Sequence, residues 1–346
     1  MDTSVPPASH SRPSPTTDEL IAGLISGLDA RDARLATELL TEAAGLVGDH
    51  PAQLDLKIAT AALAEMRDAF AVFAPYREVP KVSIFGSARV QSDDPLYQQA
   101  HDVAARLAEA GWMVVTGAGP GIMQAGMEGA GRELSIGVSI RLPFEAGANS
   151  VIADDDKHVA MKYFFTRKLM LVKESAAFVC LPGGFGTLDE TFELLTLTQT
   201  GKGLPVPIVL VDAPGDPFWA QIDAVVREQL IPRGLVAAHD TALYKIVDSA
   251  EAAVAEITRF YSNYHSIRMV GAEMVVRMRR GPDGAQLADL NARFGHLATN
   301  GRIRRAEPYS VEVRHADQLD LERIAFGFPG RGYAELRALI DTLNTY

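Results

Sequence analysis

Residues 182–190, Pro-Gly-Gly-Phe-Gly-Thr-Leu-Asp-Glu, combine a glycine-rich turn with carboxylates, and they lie where an apolar run, Ala177–Leu181, gives way to a helical pattern. Glycines let backbone N–H groups approach a ligand without Cβ interference. The unsatisfied donors and positive dipole end of a following helix then favour an anion at that point. Glu190 lies one turn into the same helix. A phosphate cradle with a carboxylate beside it points to chemistry on a phosphorylated small molecule. The same residues also fit a structural device, because Thr187-Leu188-Asp189-Glu190 matches a capping box in which Thr and Glu satisfy each other's orphan backbone donors. Two further glycine turns leave strand-like runs: Phe85-Gly86-Ser87-Ala88-Arg89 and Gly117-Ala118-Gly119-Pro120-Gly121-Ile122-Met123. Three such turns on one rim favour a ligand site over three independent tight turns.

The elements that must hold these turns follow from the apolar pattern. Short, nearly continuous apolar runs at Lys81–Phe85, Met113–Thr116, Ile136–Ile140, Ala177–Leu181, Ile208–Val211 and Leu243–Val247 alternate with amphipathic helical stretches. This alternation predicts an α/β, Rossmann-like doubly wound parallel sheet covered on both faces. Right-handed crossovers align the C-terminal ends of its strands along one rim, where ligands bind. The expected divisions are a disordered tail over 1–16, a helical leader over 17–75, the nucleotide-binding domain over 76–266 and a small α+β module over 267–346. The leader carries apolar residues at helical spacing, such as Leu20, Ile21 and Leu24, then Leu54, Ile58 and Met66, with breaks at Pro51 and Ala74-Pro75. In the module, strands are expected at Glu273–Met278, Tyr309–Val313 and Arg323–Phe328, and helices at Ala285–Leu297 and Tyr333–Leu343.

The Gly117–Gly121 turn raises the possibility of an NADP-linked oxidoreductase. A dinucleotide fingerprint belongs after the first strand, with an acidic residue about 20 positions on. Here the turn follows the second strand, its third glycine comes one residue early, and Arg141 stands where the acid belongs. Arg141 suits the extra phosphate of NADP, whereas two glycine turns at neighbouring strand ends suit a mononucleotide gripped from both sides.

Composition narrows the classes. The 346 residues are 47% hydrophobic with a formal net charge of −11. That balance disfavours a general nucleic-acid surface, which gains affinity from basic patches. The local cluster Arg277, Arg279, Arg280, Arg302, Arg304 and Arg305 reads as a solvated strand edge. No run approaches the length of a membrane span and no secretory leader is evident, so the expectation is a cytoplasmic protein without membrane partners. A single cysteine, Cys180, excludes an internal disulfide framework and a cysteine metal cluster. It is expected to pack inside its strand, and no metal is expected.

The Pro-Gly-Gly-x-Gly-Thr-x-x-Glu segment at 182–190, Arg167-Lys168 upstream and the Gly117–Met123 turn together resemble the Lonely Guy (LOG) family of nucleotide phosphoribohydrolases. Glu190 follows Arg167 by 23 residues, the family's spacing, and the resemblance runs from about Lys81 to Tyr264. It implies hydrolysis of the N-glycosidic bond of a nucleoside 5′-monophosphate, AMP-like or a cytokinin nucleotide, to free base and ribose 5-phosphate, without a cofactor. It further implies catalytic places for Arg167 and Glu190. Nucleotide and phosphate contacts fall to Ser87, Gly117, Gly119, Gly121, Met123, Lys168, Gly183, Gly184, Gly186 and Thr187. A homodimer or higher homo-oligomer is also implied. The chain departs from the small family members in its leader and C-terminal module, and Thr198 stands where many members carry Trp. The alternative on the same sheet is a non-catalytic nucleotide or molybdenum-cofactor carrier. Relatives have been labelled lysine decarboxylases, but no lysine here sits in a recognisable pyridoxal-phosphate setting.

Overall fold

Strands whose two faces are both buried must be largely apolar, with any buried polar group hydrogen-bonded, and the central strands meet that requirement: the buried Ser83 hydroxyl donates to the Leu171 carbonyl at 3.0 Å. In β1 (Lys81–Phe85), Val82 and Ile84 pack into one core while Phe85 enters the other. The computed structural model describes residues 16–27, 32–141 and 147–346. The tail expected over 1–16 therefore lies outside the described residues, apart from Thr16. The chain divides into two compact units, Met1–Ala64 and Glu65–Tyr346. The first contains α1 (Thr17–Gly27), α2 (Ala33–Gly48) and the beginning of α3 (Gln53–Phe73). Asp32 caps α2 by accepting the Leu35 N–H at 3.0 Å.

In the second unit the chain continues through β1, α4 (Pro95–Glu109), β2 (Met113–Thr116), α5 (Ile122–Ala130), β3 (Ser135–Ile140), β4 (His158–Met161), α6 (Phe164–Lys173), β5 (Ala177–Cys180), α7 (Phe185–Gln199), β6 (Ile208–Val211), α8 (Phe218–Val225), β7 (Lys245–Val247) and α9 (Ala250–Phe260). These seven strands form one sheet in the order β4-β3-β2-β1-β5-β6-β7, parallel at every pairing. One core sets Val103, Leu107, Ile122 and Ile257 against Val82, Ile84, Val114 and Val179. The other sets Phe73, Met170, Leu194 and Trp219 against Phe85, Val115, Phe178 and Leu210. Burial of each such side chain stabilises the fold by about 2 kcal/mol. Cys180 packs inside β5, and burial pushes its thiol up to about 12. Sequence pattern did not reveal β4, a sheet-edge strand with alternating rather than continuous burial.

A second, antiparallel sheet follows, built from β8 (Tyr264–Val270), β9 (Glu273–Met278), β10 (Arg304–Arg305) and β11 (Glu322–Gly327) in the order β10-β11-β9-β8. Strand β8 runs across the boundary expected between 266 and 267. Between and after these strands come α10 (Gly284–Phe294), α11 (Ser310–His315) and α12 (Tyr333–Leu343). Met274, Val276, Met278, Ile324 and Phe326 pack with Leu290, Phe294, Leu339 and Ile340 of α10 and α12.

Two expectations fail in this region, for one reason. The segment expected as a strand at Tyr309–Val313 contains the start of α11, because Glu312 accepts the Tyr309 N–H at 2.9 Å and is fully buried. Arg277, expected on a solvated edge, lies on an inner strand and is 4% exposed. Its Nε donates to Glu312 Oε1 at 2.8 Å, and its Nη2 donates to Asp317 Oδ2 at 2.8 Å. Arg323 is likewise buried beside Glu312. Burial pushes the Glu312 carboxyl up, but the Tyr309 N–H, then Arg277 and Arg323, outweigh it and hold the carboxyl below the usual range.

Candidate active site

The strand order reverses between β1 and β5, the position at which sheets of this kind open a crevice beyond their strand ends. Backbone bonds lace the three glycine turns together there. Ser87 N donates to the Pro182 carbonyl at 3.2 Å, and Ile122 N donates to the Ser87 carbonyl at 3.1 Å. Gly121 has φ +67°, and a Cβ on it would lie 2.4 Å from the Ser87 oxygen, so only glycine allows α5 to begin so close to the β1 turn.

Helix α7 begins at Phe185 with Gly184 as its N-cap, and among the described residues no side chain caps it. Thr187 is therefore the third helical residue, and the capping-box alternative does not hold. The first turn of α7 lines the crevice, and the free N–H groups of a helix start attract anions. At Gly184 and Gly186, no atom of the described residues outside the adjoining chain lies within 4 Å of where a Cβ would stand.

Arg167 and Glu190 meet across this opening. Arg167 Nε donates to the Val138 carbonyl at 3.0 Å, and its Nη1 lies 4.0 Å from Glu190 Oε1. The guanidinium rests against the backbone of Gly117, where a Cβ would fall 2.0 Å from Nη2 and 2.8 Å from Met123 Sδ. Both side chains are mostly buried, Arg167 12% and Glu190 16% exposed. Burial raises the Glu190 pKa from 4.5 to about 7, a rise that Arg167 and then Lys168 only partly offset. Lys168 bridges from α6 to α7, its Nζ 2.7 Å from both Asp189 Oδ2 and Glu193 Oε2. Desolvation opposes its charge, but hydrogen bonds to those two carboxylates outweigh it and raise its pKa.

The crevice encloses about 610 Å³, a volume in the range of small-molecule sites. Of the residues singled out from sequence, Ser87, Gly117, Met123, Arg167, Lys168, Gly184, Gly186, Thr187 and Glu190 line it. Gly119, Gly121 and Gly183 do not. They shape the turns behind it: a Cβ on Gly119 would press on Met123, and one on Gly183 would fall 2.2 Å from Thr187 Oγ1. Sequence reasoning did not assign Arg89, Phe164 and Phe185, which also form the walls. Arg89 and Phe185 fall inside turns already singled out, so their place in a glycine turn was the available signal. Phe185 is 93% exposed. A larger hollow of about 1080 Å³ shares Phe164, Lys168 and Asp189 with the crevice but is not lined by the glycine turns. The smaller crevice is therefore the candidate site.

Comparison with known proteins finds likeness over part of the chain. A family model described as "possible lysine decarboxylase" matches residues 120–257. Over 66 residues the chain is 42% identical to the cytokinin riboside 5′-monophosphate phosphoribohydrolase LOG of Oryza sativa, covering 19% of this chain and 27% of the relative. It is equally identical over 66 residues to a probable enzyme of the same name from Arabidopsis thaliana, covering 33% of that relative. The chain thus spans about a third or less of the length of these curated relatives. Among solved structures, the molybdenum cofactor binding protein of Rippkaea orientalis aligns with a TM-score of 0.38 at 18% identity, over 52% of this chain and 96% of that one.

Proposed function

We propose that the crevice of this chain, whose partial matches to Lonely Guy phosphoribohydrolases are its clearest likeness, hydrolyses the N-glycosidic bond of a nucleoside 5′-monophosphate. The observation that carries the reading is the placement of Glu190 beside the start of α7 and the Arg167 guanidinium. Glu190 is a mostly buried carboxyl held near neutrality at about 7, one turn into a helix whose uncapped start borders the same crevice, with a guanidinium 4.0 Å away.

In this reading the 5′-phosphate sits on the first turn of α7, where Gly184 and Gly186 leave room and Arg89 adds positive charge. The sugar's anomeric carbon then faces Glu190. As the C1′–N bond breaks, its electron pair goes to the base nitrogen and cationic character develops on the ribose, which ionised Glu190 stabilises. Water adds to C1′ while Glu190 takes its proton, and that proton finishes on the departing base. The sum is nucleotide plus water giving free base and ribose 5-phosphate. Arg167 stays charged throughout, so its part is to orient Glu190 or the substrate rather than to donate a proton.

The decarboxylase description fits the crevice poorly. Lys168, the lysine on its wall, is bound to Asp189 and Glu193 with its pKa raised. A lysine that forms Schiff bases needs the opposite shift. The test is incubation of the purified chain with the common nucleoside monophosphates, a cytokinin riboside monophosphate and the matching nucleosides, with chromatography for free base. Base released from monophosphates and not from nucleosides supports the reading. No base from any of them, in folded protein, overturns it.

A further inference from the structure

Helix α6 carries both cations that face Glu190, yet nothing local caps it. Its N-cap, Tyr163, makes no side-chain capping bond. The missing partner comes from Glu65 on α3, nearly 100 residues earlier in the chain. Glu65 Oε1 accepts the Lys162 N–H at 2.8 Å, and Oε2 accepts the hydroxyl of Thr166 at 2.6 Å. Thr166 is fully buried and immediately precedes Arg167. A carboxylate here also places negative charge at the positive end of α6.

We infer that Glu65 is a positioning residue for the candidate active site: by latching the first turn of α6 through Lys162 and Thr166, it fixes where Arg167 stands against Glu190. The inference rests on the function proposed above. Arg167 leaves α6 one residue after the latched Thr166, and its guanidinium fits a space bounded by the Gly117 backbone, Met123 and the Val138 carbonyl. A shift at the start of α6 therefore moves the guanidinium directly. Misplacement of a catalytic group by about 1 Å costs on the order of 100-fold in rate.

The test compares Glu65→Ala, which removes the latch, with Glu65→Gln, whose amide oxygen still accepts the Lys162 N–H. Two quantities are read: kcat and KM for a nucleoside monophosphate, and the titration of Glu190 by NMR of glutamate labelled with carbon-13. The charges facing Glu190 are Arg167 and Lys168 on α6 and Asp189 and Glu193 on α7. Withdrawing the α6 cations raises the Glu190 midpoint, whereas a loss of stability alone leaves it unchanged. In Glu65→Ala we expect kcat to fall by about 10- to 100-fold with KM little changed, and the Glu190 midpoint to rise by about 1 pH unit. Glu65→Gln should restore both. A Glu65→Ala protein with a lower Tm but wild-type kcat and wild-type Glu190 titration would overturn the inference and leave Glu65 as a fold-stabilising cap. Should Glu65→Ala fail to fold, Thr166→Val removes the other half of the latch, and an unchanged Glu190 midpoint in it is equally decisive. If the wild type turns over no nucleotide, the proposed function falls, while the titration still decides whether Glu65 sets the position of α6.

Discussion

Replacing Glu190 by glutamine should make the protein more stable, and only on the alkaline side. The Glu190 side chain is 16% exposed, and burial lifts its pKa from 4.5 to about 7 despite Arg167 and Lys168. The unfolded chain releases this proton near 4.5, whereas the folded chain retains it until about 7. Between those values the folded state binds more protons, so Glu190 lowers stability as pH rises through the window. At 1.36 kcal/mol for each pH unit between the two midpoints, the penalty reaches about 3 kcal/mol above pH 7. Glutamine has nearly the same shape and no charge to desolvate, so it escapes the penalty. Urea unfolding followed by the fluorescence of the buried Trp112 and Trp219 at pH 4.5 and pH 8 measures the difference. The two proteins should coincide within a few tenths of a kcal/mol at the lower pH, and Glu190→Gln should be more stable by about 3 kcal/mol at the higher. A gap independent of pH, or a variant less stable at pH 8, would refute the claim that a desolvated carboxyl faces the crevice.

The same proton sets the pH dependence of turnover: because Glu190 works ionised, kcat/KM should climb as pH rises through about 7 and level off above it, as initial rates across pH 5–9 would record. Gly117→Ala places a methyl 2.0 Å from Arg167 Nη2, so kcat should drop by about 100-fold while circular dichroism shows the fold retained. In the second sheet, Arg277→Met leaves Glu312 buried without its closest cation. Chemical denaturation should register a loss of about 3–5 kcal/mol, with nucleotide turnover unaffected in the protein that remains folded.

The parts of this fold that could be read from sequence are those determined by neighbours in the chain. Strands β1, β2, β5 and β6 are apolar runs ending in glycine or proline turns, and α12 lies over Tyr333–Leu343 as its apolar spacing requires. Interactions across large separations were not legible. Val311 and Val313 alternate with polar residues as in a strand, but the helix is fixed by Glu312 reaching back to Tyr309 and inward to Arg277 and Arg323. The same pairing buries an arginine that composition assigns to a solvated edge. Thr187–Glu190 fits a capping box on spacing alone. The competing start at Gly184 depends on the route of the turn past Ser87 and cannot be read from residue types. The Arg167 and Glu190 pair was reached by family resemblance, since physics alone does not bring residues 23 apart to 4.0 Å. Glu65 illustrates the limit: in sequence it is one acidic residue on a leader helix, and its role exists only once α3 lies against the start of α6.

Where a nucleotide sits can be seen in a crystal structure of Glu190→Gln soaked with a nucleoside 5′-monophosphate. We expect phosphate oxygens within hydrogen-bond distance of the backbone N–H groups at residues 185–187 and an anomeric carbon facing residue 190 beside Arg167. A nucleotide bound with its phosphate away from the start of α7, or with its sugar remote from residue 190, would contradict this placement.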